Sequence, residues 1–284
     1  MIKNIRKPAF AGSFYSANHK QLRQDISQFI EDDGEKPGNH AHVRGLILPH
    51  AGYIYSGEIA GSGYRKLSNQ SAPANIFLLG SSHRHYYKGA AVYNQSGFQT
   101  PFGLAKINTS MANDIIASNL LFSTNEDAHT KEHSLEVQVP FLQQIYGDSL
   151  SIVPVLVGTD KKSECRSIAE SLKPYFTPDN LFIVSTDFSH YPSYEKALAV
   201  DKETVEWVAK GSPDKFFRNI MNSKEEHIPG VLTRMCGWSA TLILMYLAKN
   251  EPNLKFSVIR YANSGDIEFG DRSRVVGYFS MSLA

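Results

Sequence analysis

The chain has 284 residues, 42% hydrophobic, 11% aromatic and 20% charged, enough apolar content to bury a sizeable core in one large domain or two small ones. With 29 basic and 28 acidic residues the formal charge is +1, so no net field draws in nucleic acid or an anionic membrane, and any ligand must be recognised locally. Two cysteines, Cys165 and Cys236, are too few for a disulfide framework and suit a reducing compartment.

The N-terminal "MIKNIRKPAFAG" is charged and lacks the apolar centre of a signal peptide, and the longest apolar stretch, "ATLILMYLA" at 240–248, is too short to span a bilayer. A cytoplasmic protein is expected. A helical pattern then runs into a linker-like stretch, "EDDGEKPGNHAH", at 31–42. Short apolar runs bounded by turn residues predict buried strands at 45–49, 75–80, 150–158, 181–185, 256–262 and 274–282. Amphipathic stretches predict helices at 57–67, 109–119, 132–146, 161–175, 195–210 and 237–249. Without repeats or low-complexity tracts, residues 1–284 read as a single domain. The alternation predicts an α/β fold with a mostly parallel central sheet flanked by helices.

Ligands of such folds bind outside the carboxyl ends of the strands, so the residues just after each predicted strand are the first candidates. His50 follows the first, His83 and His85 the second, Asp187 and His190 the fourth, and Asn263 with Ser264 the fifth. Histidines at three strand exits can converge on one ion, although no compact HExxH or CxxC motif is present, and each alone also reads as a loop or capping histidine.

Cys236 opens a long apolar helix beside Arg234, where free backbone N–H groups and the cation favour a thiolate. It reads as a soft ligand or nucleophile, or as a small packed residue. Cys165, inside a helical pattern, reads as structural. The stretch "TKEHSLEVQVPFLQQIYG" puts His133 and Glu136 at i, i+3 with Glu132 on the same flank, a pattern for proton transfer or a metal. The same residues also read as helix-start chemistry with Thr130 as cap, and Pro140 implies a bend. Tyr53 and its neighbours in "HAGYIYSG" and "HRHYYKG" can line a pocket for a flat substrate or simply pack. No glycine-rich phosphate loop occurs, so a nucleotide cofactor is not expected, and Ser185, His190 and Asp187 lack the G-x-S-x-G elbow of a serine triad.

Eight segments in order, "RKPAFAGSFY", "LPHAGYIYSG", "FLLGSSHRH", "EHSLEVQVPFLQ", "PVLVG", "STDFSHY", "MCGWSAT" and "RYANSGD", resemble the Memo family over nearly the whole chain. That family is known in bacteria and archaea as AmmeMemoRadiSam system protein B and is related in fold to the class III extradiol dioxygenases. The resemblance implies that fold, metal binding by His50, His83 and Cys236, and a place for His190 and Asp187 where the dioxygenase relatives keep a catalytic histidine. A thiolate in place of the carboxylate of a two-histidine triad turns preference toward copper, zinc or a more reducible iron, away from ring cleavage. The expectation is a metal-dependent oxidoreductase holding a transition metal ion, iron or copper with zinc as a third option, and acting on an unknown small molecule. The alternative is a non-catalytic peptide- or ligand-binding protein using the same pocket, with Arg84, Lys88 and Arg234 as a basic rim. The resemblance also implies functional company with a radical SAM enzyme and an AMMECR1-like protein.

Overall fold

The computed structural model describes residues 4–31, 42–225, 228 and 230–284, so the linker-like stretch falls outside the described residues apart from its ends. In chain order the strands are β1 (Ile5–Arg6), β2 (Gly45–Leu48), β3 (Asn75–Ser81), β4 (Ala90–Val92), β5 (Gly97–Thr100), β6 (Gly103–Ile107), β7 (Phe122–Ser123), β8 (Ser151–Val157), β9 (Asn180–Ser185), β10 (Phe256–Asn263) and β11 (Gly277–Leu283). The helices are α1 (His19–Glu31), α2 (Tyr53–Arg65), α3 (Thr109–Ser118), α4 (Glu126–Thr130), α5 (Val139–Tyr146), α6 (Lys162–Leu172), α7 (Tyr194–Ala209), α8 (Pro213–Glu225) and α9 (Trp238–Ala248).

One sheet runs in the order β1-β5-β6-β8-β3-β9-β2-β11-β10, with β4 joining β8 and β7 joining β4. Its centre, β8-β3-β9-β2, is parallel, and β11 and β10 extend it antiparallel. Every residue of β2, β3 and β9 is buried, which is why these strands appear in the sequence as unbroken apolar runs instead of alternating ones. Phe77 and Phe182, paired across β3 and β9, stack with ring centroids 4.3 Å apart. Helix α9 packs on β3, β9 and α6, while α2 covers β2, β10 and β11 and packs against α1. Nearly all of α9 is buried, which accounts for its apolar sequence. Among the described residues no helix is long and apolar enough to cross a membrane.

The predicted elements need three corrections. Helix α2 starts at Tyr53, before the expected 57. The predicted helix 132–146 is a turn, then a single 3-10 turn at Glu136–Gln138, then α5 from Val139. Thr130 ends α4, its Oγ1 donating to Glu126 O at 3.1 Å, so it is not a cap, and Pro140 lies in the first turn of α5, where it imposes no bend. Finally, β1, β4 to β7, α4 and α8 had no counterpart in the prediction; these strands are short, and several of their residues are polar or glycine.

Candidate metal centre

Three neighbouring parallel strands, β3, β9 and β2, end on one edge of the sheet, and the chain leaving each carries a chemically active side chain there. Two residues past β2 is His50, only 1% exposed; two past β3 is His83; two past β9 is Asp187. His133 reaches the same point from the turn after α4. Ring centroids lie 5.0 Å apart for His50 and His83, 5.0 Å for His50 and His133, and 4.6 Å for His83 and His133. One ligand atom from each of the three falls within 4.8 Å of the others, a group able to hold a metal ion.

Cys236 joins them from the segment before α9, its Sγ 3.3 Å from His50 Nε2. Gly237 makes this approach possible: a Cβ there would stand 2.5 Å from Thr186 Cβ, while the Gly237 N–H donates to Thr186 Oγ1 at 2.8 Å.

The hydrogen bonds around the rings assign their tautomers. Glu132, 2% exposed, accepts from His83 Nδ1 at 3.0 Å and from His133 Nδ1 at 3.2 Å, and takes the backbone N–H groups of His83 and Ser134 as well. Ser185 Oγ donates its only hydrogen to Ser134 O, so towards His50 Nδ1, 3.2 Å away, it accepts. All three imidazoles therefore carry hydrogen on Nδ1 and leave Nε2 for a ligand. Three such nitrogens beside a thiol fit a first-row transition ion.

The charges agree. Burial opposes ionisation of Glu132, yet the hydrogen bonds from His133 and His83 hold its carboxyl well below the usual range. Burial likewise opposes a charge on His83, but hydrogen bonds to Cys236 and Glu132 lift it to about 10. His50 is raised against its own burial by Cys236 and Asp187. His133 is lowered by burial, with Glu132 opposing and His50 and His83 adding to the effect. Cys236 is held well below the ordinary thiol value, in spite of burial, by His50, His190 and His83. The centre is a thiolate and a carboxylate among imidazoles whose protons an ion would displace.

Other sequence candidates fall elsewhere. Asp187 Oδ1 accepts His50 N–H at 2.8 Å and its Oδ2 lies 3.9 Å from His50 Nε2, so among the described residues it orients His50 and forms no hydrogen bond with His190. The His190 backbone bridges to Thr233 and Val276, and its buried Nε2 has no hydrogen-bond partner among the described residues. Proximity to Cys236 and Asp187 raises His190 in spite of its burial. Glu136 is not part of the centre: it pairs with Arg6 at 2.7 Å and accepts from Ala9 N, Phe10 N and Tyr15 Oη, pinning the N-terminal segment. The misassignment comes from the helix that does not form.

Arg234 points away from Cys236, pairing with Glu203 at 2.9 Å and lying over the Trp207 ring, so imidazoles rather than this cation favour the thiolate. It is likewise no part of a basic rim. His85 is exposed, held by its N–H on Ser82 Oγ. Tyr53 and Asn263 line a separate cavity of about 860 Å³ between α1, α2, α7 and β10. A cavity of about 510 Å³ opens directly on the centre, lined by Phe14, Tyr55, His133, Asp187, Phe269 and Arg274 among others. Sequence reasoning missed the orienting roles of Glu132 and Ser185; the adjacency of Glu132 and His133 was the available signal for the first, and nothing in sequence signalled the second.

A family model described as Memo-like protein matches residues 6–282. A MEMO1 family protein of Thermoplasma volcanium is 34% identical over 281 residues, covering 98% of this chain and 97% of its own. Another, of Thermoplasma acidophilum, is 33% identical with 97% of both chains covered. One of Nitrosopumilus maritimus is 31% identical, covering 96% of this chain and 98% of its own. Among solved structures, the crystal structure of an uncharacterized protein of Escherichia coli superposes with a TM-score of 0.54 at 14% identity, covering 84% of this chain and 99% of that one, and so shares the fold. With the family model spanning nearly the whole sequence and relatives above 30% identity end to end, the chain belongs to the Memo family.

Proposed function

We propose that the protein is a metal-dependent oxidoreductase acting on a small molecule in the cavity beside the centre. His50, His83 and His133 would hold the ion, with Cys236 as the soft donor. The supporting observation is the shared role of Glu132, whose buried carboxylate takes Nδ1–H from two imidazoles and leaves their Nε2 atoms for the ion. Imidazole with a thiolate suits iron or copper, and zinc in a non-redox variant of the site. The ion would supply Lewis acidity and one-electron chemistry. Around it Asp187 orients His50 through the backbone N–H, and His190, whose ring neighbours Cys236, would hold or deliver a proton. Phe14, Tyr55 and Phe269 on the cavity wall would give the substrate apolar surface to lie against.

The test is metal content and O₂ uptake of protein purified without oxygen, with His50→Ala and Cys236→Ser alongside. Near-stoichiometric iron or copper in the wild type, lost in His50→Ala, with O₂ uptake that follows the metal, is expected. Protein holding zinc alone, or no ion, would overturn the redox reading.

A further inference from the structure

The cavity beside the centre has an uneven lining. Phe14, Tyr55 and Phe269 give it apolar walls, and among the described residues that line it Arg274 is the only one with a permanent positive charge. Tyr55 and Phe269 are 42% and 65% exposed, and their rings meet edge-on with centroids 6.4 Å apart. Exposed aromatic faces at the mouth of a cavity mark a surface that a ligand covers. Of the two acidic residues in the lining, Asp187 faces His50 and Asp271 accepts the N–H of Ser273 at 2.8 Å, turned into its own loop.

Arg274 is held ready. Its guanidinium lies 4.0 Å from the ring centroid of Tyr191, and among the described residues it forms no ion pair with a carboxylate. Tyr191 has φ +74°, the only positive φ outside glycine among the described residues, a strained conformation for a bulky residue. It is fixed by Tyr191 N–H to Val275 O at 2.7 Å and Val275 N–H to Pro192 O at 2.8 Å. Those bonds tie the segment carrying Arg274 to the one carrying His190. The fold thus maintains a strained residue next to His190 whose ring lies under a cation at the cavity.

We infer that Arg274, stacked on Tyr191, binds the anionic group of the substrate, and that the substrate is a small molecule bearing a carboxylate on a flat apolar body. The planar fork of the guanidinium matches a carboxylate in two parallel hydrogen bonds, and stacking leaves the N–H edge free to make them. The flat body would lie against Phe14, Tyr55 and Phe269. The assignment of this cavity to substrate rests on the proposed metal-centre function; the charge preference does not.

The experiment is calorimetric titration of the protein as purified with phenylacetate, phenylacetamide and phenyl phosphate, in wild type, Arg274→Gln and Arg274→Lys, with metal content measured on each preparation. Wild type is expected to bind phenylacetate at least about tenfold more tightly than phenylacetamide, Arg274→Gln to lose the difference, Arg274→Lys to keep part of it, and metal content to be the same in all three. Equal binding of acid and amide, no detectable binding of either, or a preference that survives in Arg274→Gln would overturn the inference. Tighter Arg274-dependent binding of phenyl phosphate than of phenylacetate would overturn the carboxylate assignment. An Arg274-dependent preference in protein that holds no metal would leave this inference standing and the metal reading refuted.

Discussion

His83 Nδ1 and Glu132 Oε1 lie 3.0 Å apart, and the same oxygen is 3.2 Å from His133 Nδ1. One buried carboxylate thus sets the direction of two imidazoles. Glu132→Gln, which can no longer accept both protons as an anion, is expected to weaken metal binding about 10–100-fold. Competition against a chelator measures this, with a melting curve to show that the variant folds. Unchanged affinity in a folded variant would refute the orienting role.

Arg6 and Glu136 form a buried ion pair outside the group of candidate ligands, although Arg6 Nη2 also donates to Glu132 O at 2.7 Å. Removing one partner leaves a buried charge uncompensated, so Arg6→Met should cost roughly 3–5 kcal/mol in urea unfolding. Metal content per folded molecule should be kept in Glu136→Gln, which leaves the Arg6 bond to Glu132 O in place, and a selective loss of metal in that variant would return Glu136 to the site.

Cys236 and Cys165 should separate cleanly by alkylation. Imidazoles hold Cys236 as a thiolate, whereas burial pushes Cys165 up to about 12. Iodoacetamide at about pH 6, well below the ordinary thiol pKa, is therefore expected to modify Cys236 alone in chelator-treated protein. Loading with iron or copper should suppress the reaction. If the rate is the same with metal bound, the three imidazoles hold the ion without the sulfur.

Asp201 gives a pH dependence elsewhere in the molecule. Burial lifts its carboxyl from 3.8 to about 6, with hydrogen bonds from Ser189 and Tyr261 opposing. The folded state then holds the proton more tightly than the unfolded one. Its contribution is fully present below about pH 4 and is lost as pH rises through about 6, a change of about 3 kcal/mol. The stability of wild type relative to Asp201→Asn should fall by about that much between about pH 4 and about pH 8. Urea midpoints at the two ends suffice, and a flat difference would contradict the raised carboxyl.

The parallel centre of the sheet was legible because strands covered on both faces become continuous apolar runs, as in "NIFLLG" and "LFIVS". The rule that ligands gather at strand exits then located His50, His83 and Asp187 on one edge. The stretch 132–146 misled because its residues favour a helix locally, while Glu132 bonds the backbone of His83 and Ser134 and holds the chain in a turn. Spacing alone could not separate Glu132 from Glu136, since a helix would put both on one flank. Arg234 likewise adjoins Cys236 in sequence, and only the packing of α7 shows that its side chain turns the other way.

His50 and Cys236 are 186 residues apart along the chain, and His83 and Glu132 are 49 apart. The centre therefore exists only after β2, β3 and β9 have paired and the start of α9 has docked against them. An ion bound there would be a removable cross-link, binding the native chain in preference to the unfolded one and closing loops of up to 186 residues. Retention of an ion and lifetime of the sheet would be set by the same contacts, so a metal held there would serve as a record that the fold is complete.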